Sequence, residues 1–169
     1  LIYVRFAGHS PLLEPRDGLK IVELDPETGF ENFTVKVHEL ITKEGRDAFY
    51  IFDSLSELQS AWASDLMMGN FFHVACPYLF ELNTVAFFAI IRNRHSFDAV
   101  ARIRETTQLL LDVYSDNDLL YVHPLKVWNR YGTTMFMPHL LFDGGQSEKP
   151  LTDSMAAGKF YEMMNQRGF

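Results

Sequence analysis

Only one cysteine, Cys76, occurs among the 169 residues. That excludes an internal disulfide and any zinc cage built from several thiolates, and it fits a reducing compartment. Cations are also scarce: 15 Lys and Arg stand against 22 Asp and Glu, for a net charge of −7. A nucleic-acid binder working through its overall field is thereby excluded, because such binding needs clustered Lys and Arg to release counterions. No apolar run exceeds the seven residues 85–91, far below the ~18–20 needed to cross a bilayer, and no signal-peptide pattern opens the chain. A cytoplasmic protein without a membrane partner is the expectation. What is abundant is material for burial: 47% of the residues are hydrophobic and 14% aromatic, enough to fold one compact domain.

Periodicity along the chain alternates. Residues 1–7 (LIYVRFA) and 20–24 (KIVEL) read as short strands separated by a loop rich in Gly, Ser and Pro. Phe33, Val37, Leu40 and Ile41 fall at i, i+4, i+7 and i+8, the stripe of an amphipathic helix ended by Gly45. Residues 48–52 (AFYIF) form an unbroken apolar strand of the kind buried on both faces of a parallel sheet. Residues 56–78 read as helix with a break at Gly69-Asn70, residues 84–91 (TVAFFAII) as a further buried strand, and residues 98–107 as a short helix. From Gln108 the texture changes to three apolar runs parted by polar or Gly-containing turns, which predicts an antiparallel meander. The polar stretch 143–150 then predicts a linker, and residues 154–166 a terminal helix with Ala156, Phe160, Met163 and Met164 on one face.

The segment FYIFDSLSEL, residues 49–58, is the most informative. An apolar strand followed by Asp53 places a carboxylate at a strand's carboxyl end, where open α/β sheets gather ligands and where a Walker-B aspartate holds Mg²⁺. The same Asp is also a favoured helix N-cap, and DSLSE contains capping-box-like spacing. Other chemistries fit worse. His38-Glu39 begins like H-E-x-x-H but reaches Thr42 instead of a second His, so the i, i+4 grip on zinc is missing. Ser54 lacks the flanking glycines of a nucleophile elbow. Cys76, beside Pro77 and among apolar neighbours, suits a buried small residue better than a thiolate. Arg92, Arg94, His95, Arg102 and Arg104 form one basic cluster, readable as a phosphate contact or as a solvated face paired with Asp98 and Glu105.

The order strand, strand, helix, strand ending in DSLSEL, helix, strand, helix, then hairpins with LKVWNRYGTT, resembles the RecA/KaiC-like branch of the P-loop ATPases over about residues 1–142. The resemblance implies a three-layer α/β fold with a mainly parallel central sheet extended by antiparallel C-terminal strands. It implies Asp53 as the Walker-B metal aspartate, Ser54 as its following hydroxyl, and Lys126 and Arg130 as basic residues reaching the phosphate of a neighbouring subunit; parallel pairing of the two short apolar strands, joined through a helix, separately places Arg92 at the same edge as Asp53. ATP and Mg²⁺ are the implied cofactors, at weak or absent affinity. This sequence departs from the family in having no G-x-x-x-x-G-K-[ST] phosphate loop, and Ala7 and Gly8 where the family has acidic residues. Either the loop lies upstream of Leu1 in a longer parent, or the fold has decayed into a scaffold without turnover and with no catalytic residue of its own. The expected organisation is an N-terminally truncated domain over 1–144 followed by a linker and helix over 145–169. A weaker resemblance joins LKVWNRYGTTMFMPH, residues 125–139, to accessory domains of phosphoenolpyruvate synthase-like and pyruvate phosphate dikinase-like proteins. It implies a non-catalytic interaction or oligomerisation domain, its partner a second copy or the larger parent protein.

Overall fold

In the computed structural model, described for residues 1–6, 8–116, 119–141 and 148–166, the chain divides into two compact units, Leu1–Thr106 and Thr107–Phe169. The division falls where the sequence texture changes, next to Gln108. Residue 144, most of the predicted 143–150 linker, and Ala7 lie outside the described residues.

The first unit carries a four-stranded parallel sheet in the order β2-β1-β3-β4, built from β1 (Ile2–Arg5), β2 (Lys20–Glu23), β3 (Phe49–Asp53) and β4 (Val85–Phe88). Helix α1 (Phe30–Glu44) joins β2 to β3, α2 (Leu55–Trp62) and α3 (Asp65–Glu81) join β3 to β4, and α4 (Phe97–Thr106) follows. Successive residues of a strand face opposite sides, and here the even-numbered ones face the helices. Ile2, Val4, Phe6, Tyr50 and Phe52 share one core with Phe33, Val37 and Ile41 of α1, Leu55 and Leu58 of α2, Met68, Phe71 and Phe72 of α3, and Ala99 and Ile103 of α4. Phe33 sits at the middle, edge-on to Phe6, Trp62 and Phe71 at ring separations of 5.3, 5.5 and 5.4 Å, a geometry that the ring quadrupoles favour. The odd-numbered face includes Phe49, Val85 and Phe87, all exposed. Helices α1 to α4 all contribute residues to this one core.

Helix boundaries follow local chemistry. Gly45, at φ 74°, ends α1 by donating its amide to the Ile41 carbonyl, the left-handed turn for which glycine is suited. The helical stretch after Asp53 breaks at Ala63-Ser64 and not at the predicted Gly69-Asn70. Ser64 Oγ accepts from the Met67 amide and so caps α3, while Gly69 is buried inside that helix against Ala99 and Arg102. A capping hydroxyl decides where the new helix begins, and a lone interior glycine is tolerated.

The second unit has its own antiparallel sheet, β5-β6-β7-β8, formed by Leu109–Asp116, Leu119–Val127, His139–Leu141 and Glu148–Pro150. The predicted meander is present, but as a separate sheet and not as an extension of the parallel one. Helix α5 (Ser154–Gln166) buries Phe160 against Tyr114 and Tyr121. The third predicted apolar run, MFMPHLLF, contributes only its last residues as β7; Gly132 to Met137 are turns.

Candidate functional site

With β1 flanked by β2 on one side and β3 on the other, the chain reverses its direction of winding between β1 and β3. In open α/β sheets the crevice outside the carboxyl strand ends at such a switch point is where ligands bind. Arg5 and Asp53 are register partners there, and Glu23 lies across from Arg5 on β2. All three are odd-numbered and share the face away from the helices.

Asp53 is not exposed to the crevice: it is 5% exposed, and both carboxylate oxygens are engaged. Tyr3 Oη, itself buried, donates to Oδ2 at 2.5 Å. His9 Nε2 approaches Oδ1 and Oδ2 at 3.3 Å each. The Asp53 backbone carbonyl accepts from the Phe6 amide at 2.9 Å, which locks the two strand ends together. Arg5, also buried, bonds Glu23 and the His9 carbonyl through its two Nη atoms, while its Nε has no partner among the described residues. A shallow open depression beside this cluster is lined by Arg5, Gly8, His9, Glu23 and Asp25.

The electrostatics follow from these contacts. Burial raises the Tyr3 hydroxyl above its ordinary pKa, and the adjoining Asp53 carboxylate adds to the effect. His9 is likewise raised, chiefly by the Ser10 carbonyl on Nδ1 at 2.7 Å, which outweighs the opposing effect of desolvation, with Asp53 adding to the rise. Both ring nitrogens of His9 face acceptors, the arrangement that suits an imidazolium.

The residues expected from the sequence are distributed as follows. Asp53 ends β3 and does not cap α2; Ser54 holds the N-cap position, buried and with extended backbone, and the peptide between them is cis. Its hydroxyl makes no capping bond. Because β3 and β4 pair in parallel, with Leu55 and Ala89 amides donating to the Ala89 and Phe52 carbonyls, Arg92 follows the carboxyl end of the strand next to Asp53. Arg94 pairs with Glu57 at 3.4 Å and donates to Ser60, and Arg102 donates to Asn70, so these two members of the basic cluster are held within the fold. Lys126, on β6, and Arg130, after the turn at Trp128-Asn129, belong to the second unit. Tyr3, Arg5, His9 and Glu23 were not singled out in the sequence. The only trace of them is the polar Arg5 and Glu23 at the ends of two apolar strands, which acquires meaning once the register is known.

Both Asp53 carboxylate oxygens, the expected holders of Mg²⁺, already have partners within the protein. Among the described residues no group of three or more His, Cys, Asp or Glu side chains is placed to hold a metal. No helix of the described residues is long and apolar enough to cross a membrane.

No protein-family description matches the chain, and no curated protein is similar to it. Among solved structures it is similar to the flagellar accessory protein FlaH from Methanocaldococcus jannaschii, at 13% identity and a TM-score of 0.42. The match covers 78% of this chain and 59% of that one. So loose a likeness carries no assignment of function, and nothing in the comparisons touches the phosphoenolpyruvate synthase-like resemblance.

Proposed function

We propose that this chain contains a RecA/KaiC-like, ATPase-type α/β module that no longer hydrolyses nucleotide and acts as a regulatory element. Its support is the parallel sheet with an acidic strand end at the switch point. The observation that carries the non-hydrolysing part is the engagement of both Asp53 oxygens by Tyr3 and His9. The charges that would serve a phosphate and its metal are consumed internally: Arg5 by Glu23, and Asp53 by a tyrosine and a histidine. With no phosphate-loop motif in the sequence, the backbone N–H nest that holds β- and γ-phosphates is also lacking. Nucleotide association, if retained by the whole protein, would then depend on residues other than Asp53.

Melting the protein with and without Mg-ATP tests this. A ligand at 100 times its Kd adds ~2.7 kcal/mol to stability; the proposal expects any saturable shift to be the same in Asp53→Asn. A saturable shift that disappears in Asp53→Asn would restore Asp53 as a ligand-binding residue and overturn it.

A second reading, a docking or self-associating domain, is favoured by exposed apolar side chains in the second unit: Tyr131 is 93% exposed and Met155 72%. Surfaces of this kind are used for partner contact. Light scattering across a concentration series distinguishes it, since a single monomeric mass throughout would remove self-association.

A further inference from the structure

The two edges of the parallel sheet are built differently. β2, at one edge, reads KIVE and carries Lys20 and Glu23, charged side chains of the kind that discourage further pairing. β4, at the other edge, lies in the run TVAFFAII, residues 84–91, which holds neither a charge nor a proline. Such a run suits the interior of a parallel sheet, where a strand has neighbours on both sides. Here β4 has one neighbour, β3.

The contacts with β3 fix which backbone groups are left over. The Val85 and Ala89 amides donate to the Ala48 and Phe52 carbonyls, so the odd-numbered residues of β4 turn their N–H and C=O toward β3. Successive residues of a strand alternate in this respect, and Ala86 and Phe88 therefore turn theirs to the open side. Among the described residues no strand lies on that side. Val85 and Phe87, on the face away from the helices, are 42% and 53% exposed.

We propose that β4 pairs antiparallel with β4 of a second copy of this chain, across a two-fold axis at Phe87. In that register Ala86 of each copy lies opposite Phe88 of the other, and the two exchange both backbone hydrogen bonds, which satisfies every outward group of these residues. Phe87 meets its own copy in a non-hydrogen-bonded pair, the closer kind, with the two rings side by side on the apolar face.

A second copy is the occupant because the strand is its own match: the pairing that satisfies the outward groups is symmetric about Phe87, as an isologous contact requires. Two chains of net charge −7 also need an uncharged seam, and this run supplies one. Pairing uses up both β4 edges and leaves the charged β2 edges outermost, so the assembly closes at two chains. Only the first unit takes part, and the proposal stands independently of the reading of Asp53 and of the exposed side chains of the second unit.

Sedimentation velocity of the whole chain over a concentration series, read beside amide hydrogen exchange, tests this. The mass should rise from 19.5 kDa to twice that value. In the dimer the Ala86 and Phe88 amides should exchange about tenfold more slowly than at the lowest concentration, the scale of one hydrogen bond, while Val85 and Ala89, bonded to β3, stay slow throughout. Phe87→Lys sets two like charges across the axis from a half-exposed site, and Ala86→Pro removes an outward amide without touching a bond to β3. Each should weaken association by about tenfold or more. Should Ala86→Pro not fold, Phe87→Lys decides. A monomer at every concentration, slow exchange of Ala86 and Phe88 in the monomer, or a dimer that Phe87→Lys leaves intact would each overturn the proposal.

Discussion

Arg5 and Asp53 face each other on the last rung between β1 and β3, yet each satisfies its charge elsewhere, Arg5 on Glu23 and Asp53 on Tyr3 and His9. Opposite charges at the carboxyl end of a parallel sheet are thus held within the protein. The side chains that close this edge come from β1, β2 and the loop after β1, segments up to 50 residues from Asp53 in sequence.

Tyr3 is the buried donor to a buried carboxylate. Tyr3→Phe takes from Asp53 Oδ2 the nearer of its partners and is expected to destabilise the fold by about 1–3 kcal/mol, the cost of leaving a buried charged acceptor under-satisfied. Urea unfolding of Tyr3→Phe, Asp53→Asn and the double variant should reveal non-additivity. Strict additivity would mean that the two side chains do not interact.

Tyr50 has the opposite character: its hydroxyl is buried with no partner among the described residues. Tyr50→Phe is therefore expected to stabilise the protein, by up to about 1–2 kcal/mol. Burial pushes this phenol up to about 12, with a smaller contribution from Glu44. Between the ordinary value of 10.0 and about 12 the unfolded chain releases the proton and the folded one keeps it, so stability falls as pH rises through that window. Alkaline melting curves should show this fall in the native protein and its absence in Tyr50→Phe.

Asp65 gives the acid counterpart. Burial alone would raise its pKa, but hydrogen bonds from His95 and the Ser96 amide outweigh this and hold it below the ordinary 3.8. A lowered carboxyl contributes stability above its unfolded pKa and loses it as pH falls through the folded one. Asp65→Asn should thus be less stable near neutrality, and the gap to the native protein should close below pH 3.8. A gap that stays constant down to pH 2 would show that the carboxylate's charge contributes nothing.

Gly69 lies in the interior of α3, and a methyl group there would meet its nearest neighbours, Arg102 Cδ and the Ala99 carbonyl, at 3.5 and 3.6 Å, ordinary contact distances. Gly69→Ala is expected to raise stability by about 0.5–1 kcal/mol through helix propensity alone. Phe33→Ala, at the centre of the aromatic core, should cost about 3–5 kcal/mol. Thermal unfolding compares the two; a destabilised Gly69→Ala would mean that α3 and α4 cannot admit the methyl.

Local signals were sufficient for the elements. The stripe Phe33, Val37, Ile41 with Gly45 behind it specifies α1, and AFYIF and TVAFFAII specify buried strands, because a 3.6-residue or two-residue repeat depends only on neighbours along the chain. The change of texture at Gln108 likewise marks where the second unit begins. What sequence could not decide is which charges meet. Asp53 reads as a helix cap or as a ligand residue until the parallel register brings Tyr3 and Arg5 beside it and the following loop lays His9 against it. Ser56, Asp65 and His95 carry no common motif, since they are hydrogen-bonded to one another only when two helices and a loop converge on one sheet edge. That the meander forms its own sheet is also a tertiary outcome: hydrogen-bond pairing between strands is chosen by which backbones come side by side, and alternation along one strand is silent about its neighbour.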